Sequence, residues 1–473
     1  MGDELWRRGA GELAELIARR ETTATEVLNA HIARIDAVNP HVNAIVRRLD
    51  DEARTAAQAA DRAVAEGAEL GPLHGVPFTV KENIDVAGTP TTQAMAVLAD
   101  AVSPLDAPHV ERLRGAGGIP IGRTNLPDLG LRVHTDSSLH GLTRNPWDPG
   151  RTAGGSSGGE AAALATGMSP LGLGNDIGGS LRNPAHCCGI ASIKPTPGRV
   201  PWATTIPPED LFLAGQLMAV EGVMARRVAD VRLGLSIVAG PHVRDPGSLP
   251  VPLELPRPDG RLRVALLAEP PGGATDPGIA AVVRAAGDTL ADAGYDVVEA
   301  VPPSYEAALE VWNRWLITDV RTLMPLLRQI MGPDALRFLD LADAGPPVLS
   351  TGEYIATLTE RRTIARAWAQ FLAGHPLVVC PVWTQPPFTH GFDLVDTEHA
   401  EAVFELVRPV LPANLLGLPA AVVCGGRSEG LPVGVQVIGD RFQELMCLEA
   451  AQVVEDAVGV LTPIDPVREA VAG

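Results

Sequence analysis

Residues 143–200 read TRNPWDPGRTAGGSSGGEAAALATGMSPLGLGNDIGGSLRNPAHCCGIASIKPTPGRV, and two glycine-serine clusters within them decide what kind of chain this is. A flexible linker would not be interrupted by the Ala-rich helical pattern EAAALATGM and an apolar strand-like run, so the stretch reads as a site built from backbone. GGSSGG (154–159) admits three readings. As a helix N-cap turn, it would offer free N–H groups and a positive dipole end. As a phosphate cradle, it lacks the Gly-Lys-Ser/Thr of a P-loop. As a nucleophile elbow, it satisfies G-x-S-x-G, but an elbow follows an apolar strand and NPWDPGRTA precedes this one. GNDIGGSLR (174–182) sets Ser180 directly after two glycines. Glycine tolerates positive φ, so the N–H groups of Ile177, Gly178, Gly179 and Ser180 can converge on one concavity suited to an oxyanion. A plain strand-to-helix turn is the competing reading.

A serine nucleophile needs a base, and the composition points to one. The chain has 38 Lys and Arg residues, of which only Lys81 and Lys194 are lysine. Lys81 closes the apolar run of GVPFTVKEN (75–83). Arginine does not release its proton in a protein, whereas burial can lower a lysine from about 10.4 towards neutrality. A composition that otherwise favours Arg must still use Lys where the cation has to become a base. Lys194, in SIKPT, is read as structural. His186 follows Ser180 closely but has no recognisable orienting carboxylate.

The bulk properties bound the rest. At 473 residues, 46% apolar and 20% charged, the sequence describes an ordinary globular protein. A net charge of −19 disfavours phosphate backbones and anionic lipid, so no nucleic-acid or membrane partner is expected. LVVC (377–380) and AAVVC (420–424) are far shorter than a membrane span. The N-terminus has acidic residues early and helical apolar spacing rather than a secretory signal, so a cytoplasmic location is expected. Five cysteines fit that compartment: Cys187 and Cys188 are adjacent, and Cys380 and Cys424 sit in strand-like runs. No metal-ligand spacing occurs, and neither a metal nor a cofactor is expected.

Helical and strand patterns alternate along the chain, which argues for an α/β architecture. Thr23 and Glu26 form a capping box for a helix running to about Asn39. HVNAIV (41–46) reads as a strand, 51–66 as a helix, and GVPFTV as a strand. Further on come a strand at 261–269, a helix after it, a strand in DVVEAVPP, several helices between Ser304 and His375, and LVVCPVW. AAVVCGG and PVGVQVIGD read as a hairpin, followed by an amphipathic helix. The Pro-rich stretch from Gly240 to Pro258 marks an insertion or subdomain edge within a single domain spanning 1–473.

GVPFTVKEN, GRTAGGSSGGEAAALATG, SPLGLGNDIGGSLRNPAHCCGI and SIKPTPGRV, in this order, resemble the amidase signature family. The likeness runs from the N-terminal helices to LPVGVQVIGDRFQE, with its core at about 70–200. It implies a central mixed β-sheet covered by α-helices on both faces. It also implies a Ser-cisSer-Lys triad, with Ser180 as nucleophile, Ser156 as the middle serine entered through a cis peptide, and Lys81 as base. Ile177, Gly178, Gly179 and Ser180 are the implied oxyanion donors. The implied reaction is hydrolysis of a carboxamide through a seryl acyl-enzyme, with esters and carbamates open to the same chemistry. Asn175, Leu181 and the Cys187-Cys188 pair depart from the family pattern and flank the triad.

Substrate and partners are less determined. Small apolar or aryl amides are expected, with pocket walls from Trp202–Phe212, Trp312–Phe338 and Trp383–Phe392. Each of those aromatics reads equally as core filler. Two other readings stand beside this one. One is the A subunit of a glutamine-dependent tRNA amidotransferase, disfavoured because HAEAVFELVRPV does not resemble its pattern. The other is a catalytically silent binding protein on the same scaffold, whose mark would be loss of Lys81, Ser156 or Ser180. The sequence leaves the oligomeric state open, a homodimer included.

Overall fold

The computed structural model describes residues 2–257, 260–342 and 348–467. Its strands are β1 (Ile45–Arg48), β2 (Pro77–Lys81), β3 (Ile119–Thr124), β4 (Asp136–Ser137), β5 (Gly141–Leu142), β6 (Leu171–Asp176) and β7 (Ala191–Lys194). They continue with β8 (Val220–Ala225), β9 (Arg263–Leu266), β10 (Asp296–Glu299), β11 (Leu377–Pro381), β12 (Ala420–Ser428) and β13 (Leu431–Gly439). Eleven of them form one sheet in the order β1-β3-β2-β6-β8-β7-β12-β13-β11-β9-β10, while β4 and β5 pair separately. The sheet is mixed: β2 runs parallel to both β3 and β6, whereas β6, β8 and β7 alternate in direction. Helices flank it. β2, β3 and β8 are buried along their whole length, polar residues such as Arg123 and Glu221 included.

Most elements lie where the sequence pattern puts them. The Thr23-Glu26 capping box is formed, with the Glu26 N–H donating to Thr23 Oγ1 at 3.0 Å and the Thr23 N–H donating to Glu26 Oε2 at 2.9 Å. The expected strand HVNAIV is corrected. The helix Ala24–Val42 continues past Pro40, and the strand begins only at Ile45. Asn39 explains the shift: its Oδ1 accepts from the N–H groups of Ala44 and Ile45, each at 2.9 Å, so its side chain organises the exit from the helix.

The Pro-rich stretch beginning at Gly240 joins two strands, β8 and β9, of the same sheet. It packs against one corner of the chain, with the Gly240 N–H donating to Arg199 C=O and the Leu249 N–H to Gly198 C=O, both at 2.8 Å. Pro258, its last residue, lies outside the described residues. Between 304 and 375 the structure has the helices Tyr305–Ile330, Pro333–Ala342 and Thr351–Gly374. No helix among the described residues is long and apolar enough to cross a membrane.

Candidate active site

β2 and β6 are parallel neighbours, third and fourth in the order of the sheet, so their C-terminal ends open on the same side. β2 ends at Lys81 and β6 at Asp176, and the polypeptide after β6 turns through Ile177, Gly178, Gly179 and Ser180 into the helix Arg182–Cys188. A third segment, Gly154 to Ser157, reaches this end just before the helix Gly158–Ala165. This is the N-cap turn, and no strand precedes it, so the elbow reading of GGSSGG falls. The site is therefore assembled where strand termini leave backbone groups unpaired.

Lys81 is fully buried. Its Nζ donates to Ser156 Oγ and to Asn175 Oδ1, both at 2.7 Å. The Gly155-Ser156 peptide is cis. Desolvation lowers the Lys81 amine to about 7, and the carboxyls of Glu221, Asp176 and Glu160 pull in the opposite direction. Burial pushes Glu160 and Glu221 up to about 8. Glu160 accepts from Thr79 and, at 2.8 Å, from Thr124 Oγ1, which ties it to β2 and β3 beside Lys81.

Lys194 provides the comparison. It too is buried and lowered to about 7, but its Nζ donates to the Pro195 carbonyl at 3.1 Å. A depressed pKa does not separate the two lysines. Only the hydroxyl beside Lys81 does. His186 is buried, pushed down to about 3 by desolvation, and accepts from the Gly434 N–H on Nδ1 at 3.0 Å. It is a structural histidine.

Ser180 is 6% exposed and Ser156 2%, so both sit at the bottom of a nearly dry recess. The Ser157 N–H donates to Ser180 C=O at 3.3 Å, joining the two serine segments. Asn183 strengthens the join: its Nδ2 donates to Gly178 C=O at 3.1 Å and to Gly155 C=O at 3.3 Å, while its Oδ1 accepts from Trp383 Nε1 at 2.9 Å. The sequence pattern gives Asn183 no role, and it offers Trp383 only as a pocket wall.

Asp176 organises the turn itself. Its carboxylate accepts from the Gly179 N–H at 2.8 Å, the Leu181 N–H at 3.1 Å and the Arg182 guanidinium at 2.9 and 3.0 Å. Burial opposes its charge, and the attraction of Arg182 outweighs that, holding the carboxyl far below its ordinary range. The Gly179 N–H, one of the four donors the resemblance implies, donates to Asp176 in this structure. The N–H groups of Ile177, Gly178 and Ser180 have no acceptor among the described residues. Gly179 itself is required at φ +95°, where a Cβ would stand 2.4 Å from Asn183 Oδ1.

A cavity with ≈ 110 Å³ of space for water centres opens on Ser180 and Gly178. Its walls are mainly apolar, with Leu316, Val320 and Met324 from the helix Tyr305–Ile330 joined by Phe338, Phe404 and Val407. The expected stretch Trp312–Phe338 contributes. Trp202–Phe212 and Trp383–Phe392 do not. Trp383 is fully buried, stacks on Phe388 with ring centroids 5.8 Å apart, and supports Asn183. The wall formed by Val403, Phe404 and Val407 was missed, although the apolar face of HAEAVFELV signals it.

The sequence profile of the Amidase family matches residues 26–448, nearly the whole chain. The chain belongs to the amidase signature family. It is an amidase, a hydrolase of carbon-nitrogen bonds. An indoleacetamide hydrolase of Bradyrhizobium diazoefficiens is 40% identical over 462 residues, covering 97% of this amidase and 88% of the relative. The A subunit of the glutamyl-tRNA(Gln) amidotransferase of Chloroflexus aurantiacus is 34% identical, covering 91% and 93%. Among solved structures, a 6-aminohexanoate cyclic dimer hydrolase complexed with substrate superposes with TM-score 0.82 at 29% identity, covering 96% and 98%. A bacterial aryl acylamidase superposes with TM-score 0.81 at 27% identity, covering 97% and 96%.

Proposed function

We propose that the chain hydrolyses aryl-substituted amides, arylacetamides such as indoleacetamide foremost, through an acyl-enzyme on Ser180. The observation that carries this reading is the apolar cavity that has Ser180 in its wall. An aryl group seated there leaves its carboxamide at the hydroxyl, and the likeness to an indoleacetamide hydrolase over 97% of the chain agrees with that occupant.

Ser180 Oγ attacks the amide carbon while its proton passes to Ser156 Oγ. Ser156 in turn releases its own proton to neutral Lys81, 2.7 Å away. With Lys81 held at about 7, a usable fraction of the amine is uncharged near neutrality. The N–H groups of Ile177, Gly178 and Ser180 stabilise the oxyanion. The tetrahedral species collapses as the relay runs in reverse and protonates the leaving nitrogen, and water then cleaves the ester by the same route.

The glutamine-dependent amidotransferase is the second family reading. Free glutamine brings an ammonium and a carboxylate that need charged partners. Of the two arginines among the cavity residues, Arg132 gives its Nε and Nη2 to Asp393, at 2.9 and 3.0 Å, and most of the remaining lining is apolar. An apolar wall suits glutamine poorly. The test is a panel of indoleacetamide, other arylacetamides, anilides, short aliphatic amides and glutamine on the purified chain and on Ser180→Ala. Turnover of arylacetamides that vanishes in the variant is expected. Glutamine-only turnover, or full turnover by the variant, overturns the reading.

A further inference from the structure

Trp312, on the helix Tyr305–Ile330, touches the site in two ways that the chemistry above does not use. Its Nε1–H donates to the Ile177 carbonyl at 3.1 Å, and its ring lies so close to Gly178 that a Cβ there would stand 2.8 Å from Cζ2. Indole and glycine both line the cavity that opens on Ser180. Trp312 is 4% exposed, so the ring is fixed by packing on its other side.

The peptide unit between Ile177 and Gly178 links these contacts to the reaction. In a trans peptide the C=O and the following N–H point in opposite directions in one plane. Only Gly155-Ser156, Pro207-Pro208 and Thr462-Pro463 are cis among the described residues, so this unit is trans. Holding the Ile177 oxygen from one side therefore aims the Gly178 N–H to the other. That N–H has no acceptor among the described residues. Asn183 holds the next carbonyl, that of Gly178, at 3.1 Å, so the peptide units on both sides of Gly178 are fixed by side chains.

We infer that Trp312 is a positioning residue for the oxyanion site: it sets the plane of the Ile177-Gly178 peptide and thereby the aim of the Gly178 N–H. The same ring forms part of the acyl cavity. A substrate that fills the cavity presses on the group that orients the donor, so acyl size acts on turnover as well as on affinity. This rests on the proposed roles of Ser180 and the Gly178 N–H, and it adds a residue and a coupling that those roles do not require. A misaligned donor loses most of its effect, since a displacement of about 1 Å at a reacting centre lowers rates by up to about a hundredfold.

The experiment is a double-mutant cycle with Trp312→Phe and Gly178→Ala, measured with one arylacetamide and one short aliphatic amide. Trp312→Phe removes the N–H and the outer ring. It is expected to lower kcat for the arylacetamide about ten- to a hundredfold with a smaller change in KM, and to flatten the dependence of kcat on acyl size. Gly178→Ala, whose methyl meets Cζ2, is expected to lose kcat in the wild-type background and to lose less of it in the Trp312→Phe background, where that atom is absent. Unchanged kcat in Trp312→Phe, a change confined to KM, or simple additivity of the two variants overturns the inference. Thermal melting reports on folding. Should Trp312→Phe fail to fold, Gly178→Ala alone decides, and wild-type kcat in that variant overturns the inference. Wild-type protein that turns over no arylacetamide refutes the proposed function instead, and the cycle is then read on whichever amide is hydrolysed.

Discussion

Asn175 and Glu221 face each other in register across β6 and β8, so strand pairing sets a buried carboxyl behind the carboxamide that accepts from Lys81. Glu221 favours the ammonium form of Lys81, whereas burial favours the amine and prevails, leaving the group at about 7. Because the proposed relay needs the amine, kcat/KM is expected to rise with pH through about 7 and to level off above it. Glu221, itself pushed up to about 8 by burial, is largely protonated at the acid limb, so Glu221→Gln is expected to leave that limb near 7. Rate profiles of kcat/KM between about pH 5 and 9 for both proteins check this. A wild-type profile with no limb near 7 separates the rate from the titration of Lys81.

The relay also predicts how substitutions combine. Lys81→Arg keeps the charge and cannot release it in this range, and Ser156→Ala breaks the path at its middle. Each is expected to lower kcat by about a thousandfold or more, and the pair together by little beyond that, because groups acting as a unit lose their effect together. Lys194→Met is the control. That lysine is equally buried and equally depressed, but it donates to a backbone carbonyl, so its removal is expected to change melting temperature and leave turnover near that of the wild type. Steady-state kinetics on the four variants separates burial from function.

These contrasts show what the sequence carried and what it did not. Lys81 stood out as the end of an apolar run in a chain with two lysines, whereas Ser156 and Ser180 lie in turns that are weak signals alone and became candidates through the family resemblance. The capping box of Thr23 and the strands β2 and β6 were legible because each is a local pattern. The roles of Asn183, Trp383 and Glu221 were not, since they arise only when the sheet brings distant segments together: Trp383 is 200 positions from the asparagine it supports. That the Gly179 N–H donates to the Asp176 carboxylate was not legible either, because the turn that brings them together is visible only in the fold. The cavity wall from Val403 to Val407 was hidden similarly, because an apolar helical face announces burial without naming its neighbour.

The cavity makes a prediction about selectivity. Val407 and Phe404 line it together with Leu316 and Val320. Val407→Phe adds bulk to a space of ≈ 110 Å³ and is expected to lower kcat/KM for arylacetamides about tenfold or more, while short aliphatic amides suffer less. Phe404→Ala enlarges the same space and is expected to favour bulkier acyl groups, with a loss of stability below the roughly 3–5 kcal/mol of a fully buried phenylalanine, because the ring is only partly buried. Competition between two amides in one reaction gives the ratio directly. An equal effect on both amide classes places the acyl group elsewhere.

The last prediction concerns what keeps the turn before Ser180 in shape. Asp176 and Arg182 form a fully buried ion pair. The guanidinium also donates to Gln436 Oε1 at 2.6 Å and Val410 C=O at 2.8 Å. Breaking such a pair from one side leaves a charge without compensation, which costs about 3–5 kcal/mol. Arg182→Met is therefore expected to destabilise the protein by about that much in urea unfolding, and Arg182→Lys to recover only part of it, because an ammonium does not reproduce the two-pronged contact. The pH dependence has a definite sign. A carboxyl whose folded pKa is depressed contributes stability above its unfolded value of about 3.9 and loses that contribution as pH falls through the folded one. Without Arg182 the depression shrinks, so the variant begins to unfold at a higher pH than wild type on acid titration. Since Asp176 also holds the Gly179 and Leu181 N–H groups, the variant is expected to lose kcat even where it is still folded. Full kcat in folded Arg182→Met detaches this ion pair from the geometry of Ser180.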